Sequence, residues 1–455
     1  MRSHPDIQSA FRRELYDWRP WMTRGVVLAF AVLSGLTVVV FTWLSELALE
    51  HFQSMRQWQW WTPLIWTPLC TAAIVWLTRQ FAPGAAGSGI PQVMATLTPG
   101  LAPRMYGAFV SIKLTISKML LTSWGLLAGL SLGREGPSVQ IAAGVMHSAR
   151  RWLPAHSGVS DHGLLVAGGA AGIAAAFNTP LGGIMFAIEE LSRRPEQRSN
   201  GLLMAAIVLA GLMAVSAYGN FAYFGVIRVN PVSISLLLPG LLVAVMCGLL
   251  GGLFARLLVV SLSGMSRDRF SRYRQRHPIR FAAICGFAVA VMGVASMGAT
   301  FGSGYAHTRA ILEGGGETSQ VYVLLKFMAT WITTWAGVPA GIFAPSLAIG
   351  GALGNDIAML TSHADSTTLI ALGMVGFLAA VTQAPMTSFI IVMEMVDGHA
   401  LVLSLMACAL VASGISRLIS APLYASLADL QLMRLPADDR PPKDETGQNS
   451  RFGQR

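Results

Sequence analysis

The sequence predicts an all-α fold, a polytopic membrane protein built from two repeats with broken intramembrane helices. Three observations predict it: a composition too apolar for a soluble globule, uncharged runs long enough to cross a bilayer, and Gly/Pro motifs that recur in the same order in the two halves. Of 455 residues, 53% are hydrophobic and 12% charged, with a mean hydropathy of +0.56. A soluble protein of this size needs more charge to cover its surface. Residues 25–45 carry no charge. At 1.5 Å per residue such a run is about 30 Å long, the thickness of the hydrocarbon layer. Similar stretches recur near residues 62–78, 105–132, 163–188, 201–227, 229–255, 281–305, 327–354, 367–393 and 400–416, several with room for two short segments. Ten or more membrane-embedded helices are expected.

The 24 residues before the first run contain Asp6, Glu14 and Asp17 and no small-residue cleavage site, so they are not a removable signal peptide. Phe11, Leu15, Trp18 and Trp21 fall at helical spacing beside Arg12, Arg13 and Arg19, the pattern of a helix lying among lipid headgroups. A solvated tail is the plainer alternative. The net charge of +10 gathers in this Arg cluster and in a loop holding Arg267, Arg269, Arg272, Arg274, Arg276 and Arg280. By the positive-inside rule both segments face the cytoplasm. Residues 436–455 are polar and too short to fold alone, so they read as a cytoplasmic tail without a regulatory domain. The expected organisation is 1–24 amphipathic, 25–435 transmembrane and 436–455 tail. The basic charge has no soluble domain to sit on, and only Phe270 and Tyr273 interleave the loop, which excludes nucleic acid as a partner. Cys70, Cys247, Cys285 and Cys408 lie in apolar runs without paired spacing, so no disulfide framework, metal or cofactor is expected.

The repeat shows in the motifs. Gly87-Ser88-Gly89-Ile90 returns as Gly302-Ser303-Gly304-Tyr305, and Gly133-Arg134-Glu135-Gly136-Pro137 aligns with Gly341-Ile342-Phe343-Ala344-Pro345, at offsets of 215 and 208. Pro180 with Glu189, and Pro385 with Glu394, share the offset 205. Matches in one order at nearly constant offset mark a duplicated unit, about residues 25–220 and 233–430. Repeats of this kind often pack with opposite membrane orientation around a midplane site; the inversion itself is not visible in the sequence.

Gly87 to Pro91, Gly133 to Pro137 and Gly341 to Pro345 should each begin a helix inside the membrane. Pro is tolerated in a first turn, where its missing amide has no partner anyway, and Gly lets the chain turn sharply before it. A helix start presents free N–H groups and partial positive charge, which suit an anion. Non-helical backbone survives at that depth only where protein buries it or it lines a cavity, so three broken starts point to one shared anion pocket. Taken singly, each is better read as an ordinary kink or loop turn.

These three stretches, GSGIP, GREGP and GIFAP, together with Pro422-Leu423-Tyr424, resemble the signature motifs of the CLC chloride channel and transporter family over about residues 25–430. The resemblance implies a prokaryotic antiporter of the cell (inner) membrane, with both termini cytoplasmic, that exchanges chloride for protons as a homodimer with one pore per subunit. It implies that chloride is held by the hydroxyls of Ser88 and Tyr424 and the amides of Ile342 and Phe343, with no full positive charge in contact. Such a site binds an anion without trapping it. Gly87, Gly89, Ile90, Pro91, Gly133, Arg134, Gly136, Pro137, Gly341, Ala344 and Pro345 complete the selectivity stretches. Glu135 would be the external gate and proton acceptor: ionised it occupies an anion site, and protonated it swings away. A chloride beside it favours the protonated carboxyl, so the two ligands assist each other reciprocally. Glu190 matches the internal proton-transfer glutamate that transporters carry and channels generally replace; on the residues alone it is equally the charged end of a helix before Arg193 and Arg194. Glu189, which the repeat pairs with Glu394, reads as structural. Lys118 matches a basic residue that the family buries, with snorkelling as the other reading. Gln92 departs from a glutamate common after GSGIP, and Val338-Pro339-Ala340 from a more glycine-rich approach.

A passive chloride channel is the alternative, and the presence of both Glu135 and Glu190 favours exchange. Fluoride or nitrate preference is not expected, because members with it usually lack the first-motif serine. An enzyme is excluded: Gly129-Leu130-Ser131-Leu132-Gly133 matches a nucleophile elbow, but that motif needs a preceding strand and a triad, and the nine His show no metal-binding spacing.

Overall fold

The structure, a computed structural model, describes residues 18–155, 157–192, 200–219, 224, 236–264, 268–314, 321–361, 366–396 and 398–441. Phe11, Leu15, Arg12, Arg13, Arg193, Arg194 and Arg267 lie outside the described residues. The first repeat contributes α1 (Trp18–Trp58), α2 (Thr62–Phe81), α3 (Ile90–Thr96), α4 (Ile112–Leu127), α5 (Glu135–Ser148), α6 (Asp161–Phe177), α7 (Pro180–Phe186) and α8 (Asn200–Tyr218). The second contributes α9 (Leu237–Ser263), the Arg-rich α10 (Arg269–Arg276), α11 (Pro278–Ala295), α12 (Tyr305–Leu312), α13 (Tyr322–Ala336), α14 (Phe343–Leu360), α15 (Ser366–Thr382), α16 (Pro385–Met395) and α17 (Val402–Ile419), and α18 (Leu423–Met433) follows. Trp18–Arg24 continue without a break into the first span.

The motif offsets are the helix offsets. Helices α3 and α12 start 215 residues apart, α5 and α14 start 208 apart, and α6 and α15 are shifted by 205 along their whole length. Packing repeats with them: α5 lies on α6 as α14 lies on α15, and α1 lies on α8 as α9 lies on α17. Across the two halves α2 packs on α11 and α7 on α16. Local chemistry sets the breaks. Asn178 closes α6 at φ 58° and Gln383 follows α15 at φ 60°, both left-handed, and each is succeeded within two residues by the proline that opens the next helix. A left-handed residue ends a helix, and proline in a first turn loses no hydrogen bond by starting one.

Among the described residues, six helices are long and apolar enough to cross a bilayer alone: Trp18–Trp58, Gly201–Tyr218, Leu237–Ser263, Pro278–Ala295, Phe343–Leu360 and Val402–Ile419. Asp161–Phe177, Ser366–Thr382 and Pro385–Met395 are apolar but shorter, each ending or beginning at one of these breaks. Helices α5, α6, α14 and α15 are buried along nearly their full length, whereas α1, α8, α11 and α17 turn Leu, Val and Trp side chains outward. Lipid is as apolar as leucine, so buried helices associate through close backbone approach. A Cβ on Gly172 of α6 would stand 2.5 Å from Ser138 O of α5, and one on Gly350 of α14 would stand 2.7 Å from Phe377 Cβ of α15. Only glycine fits either crossing.

Candidate anion site

The three Gly/Pro stretches meet at the centre. Gly133 and Gly341 exchange backbone hydrogen bonds of 2.8 and 3.0 Å, an antiparallel bridge between the approaches to α5 and α14. Gly87 N–H donates to Val338 O and its carbonyl oxygen accepts from Ala340 N–H, each at 3.1 Å, which joins the first stretch to the third. The Val338-Pro339-Ala340 departure makes this contact through its main chain, while the Val338 and Ala340 side chains are buried in the core. Gly89, at φ 108°, touches the second stretch: a Cβ there would stand 2.7 Å from Gly136 O.

Three buried side chains hold the turns. Lys118 donates to Ala85 O (2.8 Å) and Gly87 O (2.6 Å) and is fully buried, so it does not snorkel. Lys326 makes the same pair of bonds in the second repeat, to Thr300 O (3.0 Å) and Gly302 O (2.7 Å). Sequence reasoning missed Lys326, although the 208-residue offset from Lys118 points straight to it. Gln92 accepts from Gly89 N–H at 3.0 Å and donates to Ala86 O. An amide does both at once, whereas a carboxylate in its place could only accept, so the departure at this position satisfies a backbone carbonyl.

Glu135 begins α5 with no solvent exposure. Its Oε2 accepts from Ala344 N–H of α14 at 3.4 Å, while Oε1 has no hydrogen-bond partner among the described residues. The carboxylate thus stands where the amide ends of two helices converge, which is where an anion is most favoured. Ile342 and Phe343 open α14, so their amides have no intrahelical acceptor. The hydroxyls of Ser88 and Tyr424 are adjacent and buried, without hydrogen-bond partners of good geometry among the described residues. Tyr424, in the first turn of α18, stacks on Phe343 at 6.0 Å between ring centroids. Two orphaned hydroxyls beside free amides fit a small anion as substrate.

Among the described residues, three cavities reach this centre. The first, about 580 Å³, has Glu135 in its wall and is lined by the C-terminal parts of α1 and α6 (Glu46, Asn178). Arg134 lies there too, paired with Glu46 at 2.8 Å. The second, about 410 Å³, holds Glu189, Glu190, Gln383, Arg417 and Tyr424. The third, about 70 Å³, runs from Ser88, Ile342 and Tyr424 to Arg274 and Arg434 beside the C-terminal end of α9. Corresponding helix ends of the two repeats thus reach different cavities, in keeping with inverted repeats: Asn178 the first and Gln383 the second.

Glu190 is separate from the anion turn. It sits half-buried on a π-helical turn, Ala187–Leu191, and lines the second cavity together with Tyr424. Its neighbour turns elsewhere: the Glu189 carboxylate accepts from Met386 and Thr387 N–H (3.2 and 2.7 Å) at the start of α16. Glu394 accepts from Leu181 and Gly182 N–H (3.2 and 2.8 Å) at the start of α7. The two glutamates cap each other's helices across the repeat. Ser131 of the elbow-like sequence is fully buried against Thr330 Oγ1 at 2.9 Å, with no strand before it among the described residues.

The comparisons with known proteins agree with this architecture. The chain is 28% identical over 439 residues to the H(+)/Cl(-) exchange transporter ClcA of Citrobacter koseri, covering 91% of this chain and 90% of that protein. It is 30% identical over 378 residues to the transporter of the same name from Klebsiella pneumoniae, covering 80% and 77%. The fold matches a slow cyanobacterial Cl-/H+ antiporter with a TM-score of 0.78 at 23% identity, over 91% of this chain and 98% of that one. It matches a CLC-type fluoride/proton antiporter with a TM-score of 0.72 at 22% identity, over 89% and 97%. With residues 70–417 matched by the voltage gated chloride channel family, the chain belongs to that family, the CLC proteins.

Proposed function

We propose that this multi-pass membrane protein is a secondary active transporter that exchanges chloride for protons. One observation carries the reading: a fully buried carboxylate, Glu135, at the converging amide ends of α5 and α14, beside the paired hydroxyls of Ser88 and Tyr424. An ionisable group at membrane depth costs about 2.5 to 3.5 kcal/mol on insertion scales, and amides aimed at it offset part of that. Ionised, Glu135 occupies the position an anion would take; protonated, it loses its attraction to the amides and leaves the position to chloride. Chloride then rests on Ser88, Tyr424 and the amides of Ile342 and Phe343. Glu190, in the second cavity, hands protons in from the side opposite Glu135.

The exchange transporters named above support proton coupling in this chain, and Ser88 supports chloride as cargo. The family is one of ion transport, so the chain is not an enzyme. We place residues 25–435 in the bacterial inner membrane with both termini and α10 on the cytoplasmic side, as the arginines of α10 favour, and the working unit as a homodimer. The test is reconstitution in liposomes with an imposed chloride gradient and simultaneous recording of chloride and pH. Protons moving against their own gradient are expected; chloride flux with no proton movement would leave a passive channel.

A further inference from the structure

Helices α2, α10 and α11 meet at one end of the bundle. A Cβ on Gly286 of α11 would stand 2.5 Å from Thr71 Oγ1 of α2, so the two spans touch there. Arg79, in the last turn of α2, lies within electrostatic reach of Arg274 of α10, and α10 leads through His277 into the start of α11. The spans are therefore antiparallel. Arg280, six residues before Gly286, stands level with Leu77, six after Thr71, and so at the depth of Trp76 and Arg79. Arg274 turns inward, its Nη1 donating to Ser261 O at 3.1 Å, whereas Arg79, Arg272, Arg276 and Arg280 are exposed. The three helices hold six arginines and no Asp or Glu, and Asp268, just before α10, turns its carboxylate to Ser271 N–H at 3.1 Å. No ion pair among the described residues involves any of the six. Such a surface repels itself and would meet the ammonium of a zwitterionic headgroup with like charge, whereas an anionic headgroup compensates it.

Away from the arginines the same face is apolar: Leu69 and Trp76 of α2 and Ile284 and Phe287 of α11 are exposed. From Arg79 back to Leu69 is about 15 Å of helix, half of a hydrocarbon layer about 30 Å thick. That is the depth of one leaflet, with Trp76 near the boundary that its amphipathic ring favours. We propose that the outer face of α2 and α11, headed by Arg79 and Arg280, binds an anionic phospholipid of the leaflet beside α10. The phosphate rests on the guanidinium groups and the acyl chains lie along Leu69, Trp76, Ile284 and Phe287. Guanidinium presents paired donors that match phosphate oxygens, and basic clusters at the ends of membrane helices are where such lipids gather.

In the experiment the full chain is purified in detergent, equilibrated with equimolar phosphatidylglycerol and phosphatidylcholine of identical acyl chains, and weighed with its bound lipid by native mass spectrometry. The wild type should retain phosphatidylglycerol several-fold over phosphatidylcholine. Arg79→Gln combined with Arg280→Gln should bring that ratio close to unity, and Arg79→Lys combined with Arg280→Lys should leave most of it. Arg151→Gln removes an exposed arginine outside this face and should keep the wild-type ratio. Glycerol 3-phosphate offers the charge without the chains, so it should displace the lipid only in large excess. Equal retention of the two lipids by the wild type, an unchanged ratio in the double Gln variant, the same loss in Arg151→Gln, or displacement by equimolar glycerol 3-phosphate would each overturn the site.

Discussion

On the proposed function Glu135 is the residue on which the chemistry turns, because one carboxylate occupies the place where two helix starts would otherwise offer their amides to an anion. Glu135→Gln keeps the shape and removes the charge, so it should pass chloride while proton exchange and the pH dependence of flux disappear. The joint record of chloride and pH checks this, and an unaltered pH profile would remove Glu135 as the gate. Tyr424 contributes one of the two orphaned hydroxyls and the ring that rests on Phe343. Tyr424→Ala should weaken chloride binding and loosen coupling; calorimetry showing unchanged chloride affinity would take Tyr424 out of the site. Both residues were legible in the motifs. Lys326 and Gln92 show what was not: their partners are backbone carbonyls and amides of turns whose geometry no motif displays.

At the scale of elements, the reciprocal caps distinguish Glu189 from its neighbour Glu190, to which the proposed function gives the proton. Glu189 and Glu394 each satisfy two amides at the start of a helix in the other repeat. Losing a helix-start acceptor costs about 0.5 to 2 kcal/mol. Glu189→Ala and Glu394→Ala should therefore lower the thermal midpoint by similar amounts without altering the chloride-to-proton ratio. Glu190→Ala should do the reverse, keeping fold and chloride flux while abolishing chloride-driven proton uptake; a variant that still takes up protons at the wild-type rate would move the proton path elsewhere. The turns before α3 and α12 make a second symmetric pair. Each buried lysine serves two carbonyls, and an abandoned buried acceptor costs about 1 to 3 kcal/mol. Lys118→Met and Lys326→Met should both destabilise the protein in a thermal melt, and a neutral result at Lys326 would show that its turn is held by other contacts.

At the scale of the whole molecule, the central helices are buried on every side while the outer ones show apolar faces to lipid, so each chain encloses its own centre. If two chains associate, transport should be independent in each. A dimer joining one wild-type and one Glu135→Gln subunit is then expected to keep about half the proton uptake of the wild type in liposomes; complete loss would mean that the subunits share one pathway.

The sequence by itself determined the fold class and the duplication, and it nominated the candidate residues of the site. Hydrophobic run length is set by bilayer thickness, helix breaks by Gly and Pro, and both are local properties written in the residue order. The repeat offsets of 215, 208 and 205 reappear unchanged in the helices. Only the tertiary structure decided which groups meet: the Gly133–Gly341 bridge, the Glu189 and Glu394 caps, the division of charge between the two cavities beside Tyr424, and the inward turn of Arg274 out of a basic loop that otherwise reads as a topology signal. These contacts join residues from about 13 to more than 200 positions apart. Hydrogen bonds and charge pairs act over a few ångströms of space, and only the packing of the two repeats brings those groups within that reach.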